Sequence, residues 1–163
     1  MADCLVYWKD CSAELKHFAS DTPGPWNFHY HSKNPRLFDR IERGDNLWIV
    51  VFDTEPQPGE WLLIERLCVA EKRYKSELKR PYQIVGDPGQ STSFDIRKQE
   101  DLTPVLHNLN FVTGKKILVS GIKIALVLQN IRQLTEGDSA SLEQYSQGLP
   151  RVVSLSEMLP RKI

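Results

Sequence analysis

The residues most suited to chemistry or recognition lie in one short stretch, Trp26-Asn27-Phe28-His29-Tyr30-His31-Ser32-Lys33-Asn34, introduced by the turn-forming Pro23-Gly24-Pro25. Loops normally run in water, so flat rings, imidazoles and amides at this density need a reason. Two readings compete: a half-buried edge strand, or the wall of a pocket that grips something planar. A planar ligand needs faces to lie against and hydrogen-bond partners for its edge. Trp26, Phe28 and Tyr30 offer faces; Asn27, Ser32 and Asn34 offer edge contacts. Alternation with a period of two puts Phe28 and Tyr30 on one side and His29 and His31 on the other. The competing reading has Phe28 and Tyr30 simply packing on a core, to which aromatics contribute large areas.

A second stretch, Lys72-Arg73-Tyr74-Lys75-Ser76-Glu77-Leu78-Lys79-Arg80, sets five basic residues against one acidic. The chain as a whole is balanced, with 21 Lys and Arg against 21 Asp and Glu, so no global field recruits nucleic acid or an acidic membrane. Any grip on a phosphate backbone must be local. Lys33, Lys72, Arg73, Lys75, Lys79 and Arg80 are the candidates, with Lys115, Lys116 and Lys123 as weaker ones. The alternative is a solvated loop or a frayed strand end, since charge runs usually face water.

Catalytic and metal chemistry is poorly supplied. His29 and His31 could give two ligands on one strand face, but no neighbouring Cys or acidic residue completes a set, and no metal site is expected. Cys11 and His17 fall on different faces of a short helix. Asp53, Glu65 and Lys72 have a loose nuclease-like flavour without a specifying spacing. Gly86-Asp87-Pro88-Gly89 lacks the lysine and helix start of a phosphate loop. Three cysteines, Cys4, Cys11 and Cys68, form neither a disulfide framework nor a zinc set; Cys4 and Cys68 sit in apolar runs as small buried hydrophobes. No cofactor is called for.

These residues must be positioned by elements that the 163-residue chain, 40% apolar and 26% charged, can fold as one domain. Leu5 to Trp8 reads as a strand. Ser12 caps a short helix with Leu15, Phe18 and Ala19 at helical spacing. Asn34-Pro35 opens a second helix whose inner stripe is Leu37, Phe38 and Ile41. Gly44-Asp45 leads into Asn46 to Phe52, apolar on both parities and hence a central strand covered on both faces. Asp53 to Gly59 is a hairpin connection to a long strand, Trp61 to Ala70, with a bulge expected at Glu65-Arg66. Pro81 to Gly86 and Thr92 to Ile96 read as strands around a Gly-Asp-Pro-Gly turn. A helix follows from Asp101 or Thr103 through His107. Lys115 to Val119 reads as a strand or an extended lead-in to a helix from Ile122 to Leu134, which Gly137-Asp138 ends. A short helix near Ser141 to Tyr145 and irregular chain complete the tail.

The order of parts resembles the PUA-like superfamily, and within it the EVE and YTH group. The likeness is carried by Val6-Tyr7-Trp8-Lys9, by Arg43-Gly44-Asp45-Asn46-Leu47-Trp48, and by the run from Trp61 to Lys72, over roughly the first 100 residues. It implies an α+β fold: a small antiparallel β-barrel flanked by short helices, with a C-terminal helix. The domain would span 1–138, with a tail at 139–163. It also implies non-catalytic recognition of DNA or RNA bearing a modified base, flipped into an aromatic pocket beside the barrel. Mapped by position, the pocket would comprise Trp8, Trp26, Asn27, Phe28, Tyr30, His31, Ser32, Asn34 and Trp48. For in-strand Trp8 and Trp48 core packing is the favoured alternative. A separately encoded nuclease is a candidate partner.

Two other function classes stay open: a protein-interaction domain using the same aromatic stretch as a hot spot, and a hydrolase acting on nucleic acid. Met1-Ala2-Asp3 shows no secretory pattern and Ile117 to Leu128 is too short to span a bilayer, so a soluble cytoplasmic protein with no membrane partner is expected.

Overall fold

A computed structural model describes residues 2–9, 28–54, 58–130 and 132–152. In chain order these form β1 (Cys4–Tyr7), β2 (His29–Ser32), α1 (Pro35–Arg40), β3 (Asn46–Asp53), β4 (Glu60–Tyr74), β5 (Tyr82–Gly86), β6 (Thr92–Phe94), a 3-10 turn (Ile96–Lys98), α2 (Thr103–Asn108), α3 (Lys123–Leu128), β7 (Arg132–Gln133), α4 (Glu136–Gln147) and β8 (Arg151–Val152). The fold is α+β. One eight-stranded sheet runs β2-β5-β4-β3-β1-β7, with β6 added to β4 and β8 to β6. The helix expected around Ser12 to Ala19 lies outside the described residues.

The sheet is mixed, which corrects the all-antiparallel expectation: β1 runs parallel to β3, with Leu5 opposite Trp48. The remaining pairs are antiparallel. Among the described residues β2 and β7 end the strand order without pairing to each other. The sheet is nevertheless strongly curled. Tyr30 on β2 donates its hydroxyl to the carbonyl of Tyr7 on β1 at 3.3 Å. Three strands separate β2 from β1 in the hydrogen-bonded order, a distance of about 19 Å in a flat sheet, which a tyrosine side chain cannot bridge.

Both faces are buried. Val6, Trp8, Leu47, Ile49, Val51, Leu62, Ile64 and Ile84 form one core with Leu37 and Ile41 of the α1 region; Phe28 and Tyr30 pack against it. Leu5, Trp48, Val50, Trp61, Leu63 and Phe94 form the other, covered by Leu102, Leu106, Ile124 and Leu142 from the helical half. β3 is buried over all but its first residue, as its double-parity apolar run requires. α1 begins as expected, with Asn34 accepting from the Arg36 N–H and proline in the first turn.

Two helix boundaries differ from expectation. α3 stops at Leu128 instead of Leu134, because the edge of β1 recruits the chain: Gln133 and Arg132 pair with Cys4 and Leu5, and the Leu134 N–H donates to the Asp3 carbonyl at 2.8 Å. Arg132 Nε in turn donates to the Val127 carbonyl at the end of α3. Gly137-Asp138 starts α4 rather than ending a helix. Thr135 and Asp138 form a capping box, each side chain accepting the other's backbone N–H. Leu142 of α4 is in the core and β8 pairs with β6, so the helix crosses position 138 and packs with the rest. Lys115 to Val119 has no strand pairing.

Candidate nucleic-acid interface

Within the chemistry-bearing stretch His29–Ser32 form a half-buried strand, β2, hydrogen-bonded to β5 and at the edge of the sheet among the described residues. Its position depends on Gly86, whose N–H donates to the Phe28 carbonyl at 2.8 Å. A Cβ on Gly86 would lie 2.6 Å from Phe28 Cβ and 2.8 Å from Leu67 Cγ. Residues directly opposite in neighbouring strands share a face. His29 is opposite Val85, which is opposite Glu71; His31 is opposite Gln83, which is opposite Arg73. His29, His31, Glu71, Arg73, Gln83 and Val85 therefore share the face turned away from the core. The two imidazole rings stand 6.1 Å apart at 90°, as the period-two alternation requires. A cleft of about 230 Å³ opens here between His29, Arg73, Val85, Gly86 and Pro88.

Cationic side chains act on the two imidazoles of this face. Burial lowers the pKa of His29, and Arg73 and Lys75 lower it further. His31 is lowered to about 4, by burial first and then by His29, Arg80 and Lys75. Both imidazoles are thus neutral at pH 7 and can offer an acceptor as well as a donor. Arg73 forms a two-pronged ion pair with Glu71, at 2.9 and 2.8 Å, on an exposed part of the strand.

The other candidates fall elsewhere. Trp8 and Trp48 are both buried, on opposite faces of the sheet. They cannot line one pocket, and each is core. Tyr30 and Phe28 pack on the first core, Tyr30 held by its bond to Tyr7. Asn34 and Ser32 hold the start of α1: Ser32 Oγ accepts the Asn34 N–H at 2.9 Å. Lys72 is turned to the opposite face from Arg73, where its ammonium donates to the Phe38 carbonyl at 2.9 Å, pairs with Glu42 at 3.3 Å and sits 5.1 Å from the Phe38 ring. It belongs to the α1 packing. Beside it, the Tyr82 ring contacts those of Phe38 and Tyr74 at tilted angles of 54° and 47°. Lys33, Lys75 and Lys79 are exposed. Trp26 and Asn27 lie outside the described residues.

β4 runs four residues beyond Ala70, to Tyr74. The first three residues of the basic run are therefore strand, and pairing with β5 is what aligns Arg73 with His31. Sequence reasoning missed Gln83, buried between those two in the register. A polar residue inside an otherwise strand-forming run was its only local signal.

Among the described residues nucleophilic and metal chemistry finds no constellation; Cys11 and His17 lie outside them. Burial pushes the Cys4 thiol up to about 12 and raises that of Cys68, so neither supplies a thiolate near neutral pH. Among the described residues no group of three or more His, Cys, Asp or Glu side chains could hold a metal ion, and no helix is long and apolar enough to cross a membrane.

No protein-family model matches the chain, and no curated protein matches it as a relative. The PUA-like resemblance therefore stands on the order of its parts.

Proposed function

We propose that this is a PUA-like domain that binds DNA or RNA without acting on it, and that it reads a modified base. The observation that carries the reading is the register that sets His29 and His31 beside Arg73 on one outward face, with Lys75 close enough to shift both imidazoles and Arg80 close enough to shift that of His31. Basic side chains engage the phosphate backbone, while the cleft between His29 and Arg73 takes the base. Trp26 and Asn27, just before Phe28 in the sequence, are the ring and the amide assigned to contact the base in this reading. The curl that brings Tyr30 to Tyr7 is what a small barrel-like fold needs. Chemistry on the bound strand would come from a separately encoded nuclease in the cytoplasm.

The test is a binding series of oligonucleotides with and without methylated or hydroxymethylated bases, at several salt concentrations. Affinity should fall steeply with salt, and Lys75→Ala should reduce the salt slope by about one. Trp26→Ala should lose base discrimination with unchanged melting. Equal binding to every oligonucleotide removes the modified-base reading, and absent binding removes both.

A second reading, a protein-interaction domain, is favoured by a different surface from the one the sequence suggests. Leu118, Ile122 and Leu126 are 87%, 56% and 66% exposed around the start of α3. From Leu102 to Thr135 the chain carries no acidic residue. An exposed apolar stripe fringed by Lys115, Lys116 and Lys123 suits an acidic, apolar partner. Binding to such a partner should change little with Lys75→Ala and be lost with Leu126→Ser.

A further inference from the structure

We propose that a second cleft, on the far side of the Asp87–Ser91 turn, is a phosphate-binding site built on Arg66 and Arg151. The cleft measures about 440 Å³ and no carboxylate lines it. Register explains its composition. Arg66 is opposite Thr92, Phe94 is opposite Arg151, and Thr92 and Phe94 are two apart on β6. Arg66, Thr92 and Arg151 therefore share one face.

Arg66 is held in place from several sides. Nη1 pairs with Glu143 of α4 at 2.7 Å, Nη2 donates to the Gln90 carbonyl at 3.1 Å, and the guanidinium lies 6.0 Å from the Trp48 ring. Its Nε and the indole Nε1 of Trp48, a neighbour that does not itself line the cleft, are buried donors without a partner, so donor capacity is left unspent beside Arg66. Arg151 is exposed and makes no ion pair among the described residues. Ser91 accepts from the Cys68 N–H at 2.9 Å, so its own proton is available to donate. Thr92 adds a second hydroxyl.

Two guanidinium groups and two hydroxyls facing a cleft without acids select an acceptor-only ligand. Forked donors from two arginines fit the several oxygens of a tetrahedral phosphate, and arginine is the side chain suited to that geometry. A cation is excluded by the same lining. The site does not rest on the reading of the His29–His31 face: Pro88 lines that cleft, whereas Gly89, Gln90 and Ser91 line this one. The phosphate could come from a free phosphomonoester or from a nucleic-acid backbone, which share this chemistry.

The experiment titrates inorganic phosphate, a mononucleotide and a short unmodified oligonucleotide while following the Trp48 indole N–H and the His29 and His31 ring resonances. Saturable movement of the Trp48 signal is expected, and Arg151→Ala should weaken it about ten- to hundredfold with unchanged melting, the loss of one charge-assisted contact. Thr92→Val should weaken it to a lesser degree. Binding of phosphate and mononucleotide identifies a free phosphomonoester site; Arg151-dependent binding of the oligonucleotide alone identifies a backbone site. The proposal is overturned if none of the three ligands moves Trp48 saturably, if Arg151→Ala leaves the affinity intact, or if only His29 and His31 respond. That last result would assign the phosphate to the other face.

Discussion

The hydroxyl of Tyr30 reaches the backbone carbonyl of Tyr7 at 3.3 Å, although three strands lie between β2 and β1 in the sheet. One hydrogen bond thus records the curvature that folds the His29–His31 edge back over the first core. Tyr30→Phe keeps the ring and its packing and removes only this tie. It should cost about 0.5–1.5 kcal/mol in denaturant unfolding, and a loss above 3 kcal/mol would mean that the ring itself is displaced.

His31 and His29 make stability depend on pH in the acid range. Both folded pKa values lie below the ordinary 6.5, that of His31 at about 4. The unfolded chain therefore binds protons first. Their contribution is complete above pH 6.5 and is lost as pH falls towards 4. Because the rings are partly exposed, the loss should be on the order of 1 kcal/mol after screening. Urea unfolding at pH 7 and pH 4.5 measures it, and His31→Phe should flatten the difference.

Glu65 works in the opposite direction. The register skips Ile64, so that Glu65 stands opposite Ile49 and faces the first core. It is fully buried, desolvation holds its pKa well above the carboxylate range, and Oε1 has no partner. Its stabilising contribution is complete below pH 4.5 and is lost as pH rises through its folded value. Glu65→Gln keeps the shape and removes the titration, so the variant should melt higher than the parent at pH 8 and show a flatter profile above pH 5. A parent profile already flat over that range would contradict this assignment.

Asp138 ties the helical half together. Burial opposes its charged form, but backbone N–H groups of Asn110, Thr135 and Phe111 and the Thr135 hydroxyl outweigh it and hold the pKa below the usual value. The distances are 2.8, 2.8 and 3.0 Å to the N–H groups of Asn110, Phe111 and Thr135. Asp138→Ala removes the cap and strands buried donors, with a cost of about 2–3 kcal/mol. Calorimetry should show the drop at pH 7 and a smaller one at pH 3, below the ordinary aspartate value, where the unfolded chain already binds the proton.

Trp8 and Trp48 distinguish packing from recognition. Each is buried in a separate core, so alanine at either position should destabilise by about 3–5 kcal/mol. Arg73→Ala and Lys75→Ala, on the exposed end of the sheet, should leave melting within about 0.5 kcal/mol of the parent. Any ligand affinity lost in the arginine and lysine variants is then a property of the surface.

The double-parity apolar run of β3, the Asn34-Pro35 start of α1 and the alternation that pairs His29 with His31 are all local patterns, and the sequence by itself determines them. Local periodicity says which residues of one segment share a face. It does not say which strand lies alongside. Only the parallel pairing of Leu5 with Trp48 sends Trp8 to the opposite core. Only the extension of β4 past Ala70 aligns Arg73 with His31 across Gln83. The edge of β1 turns the chain after Leu128 from helix into β7. β6 and β8 bring Arg151, far along the chain, to the face of Arg66. Each of these outcomes is set by long-range register, whose free energy comes from burying two faces of one sheet at once.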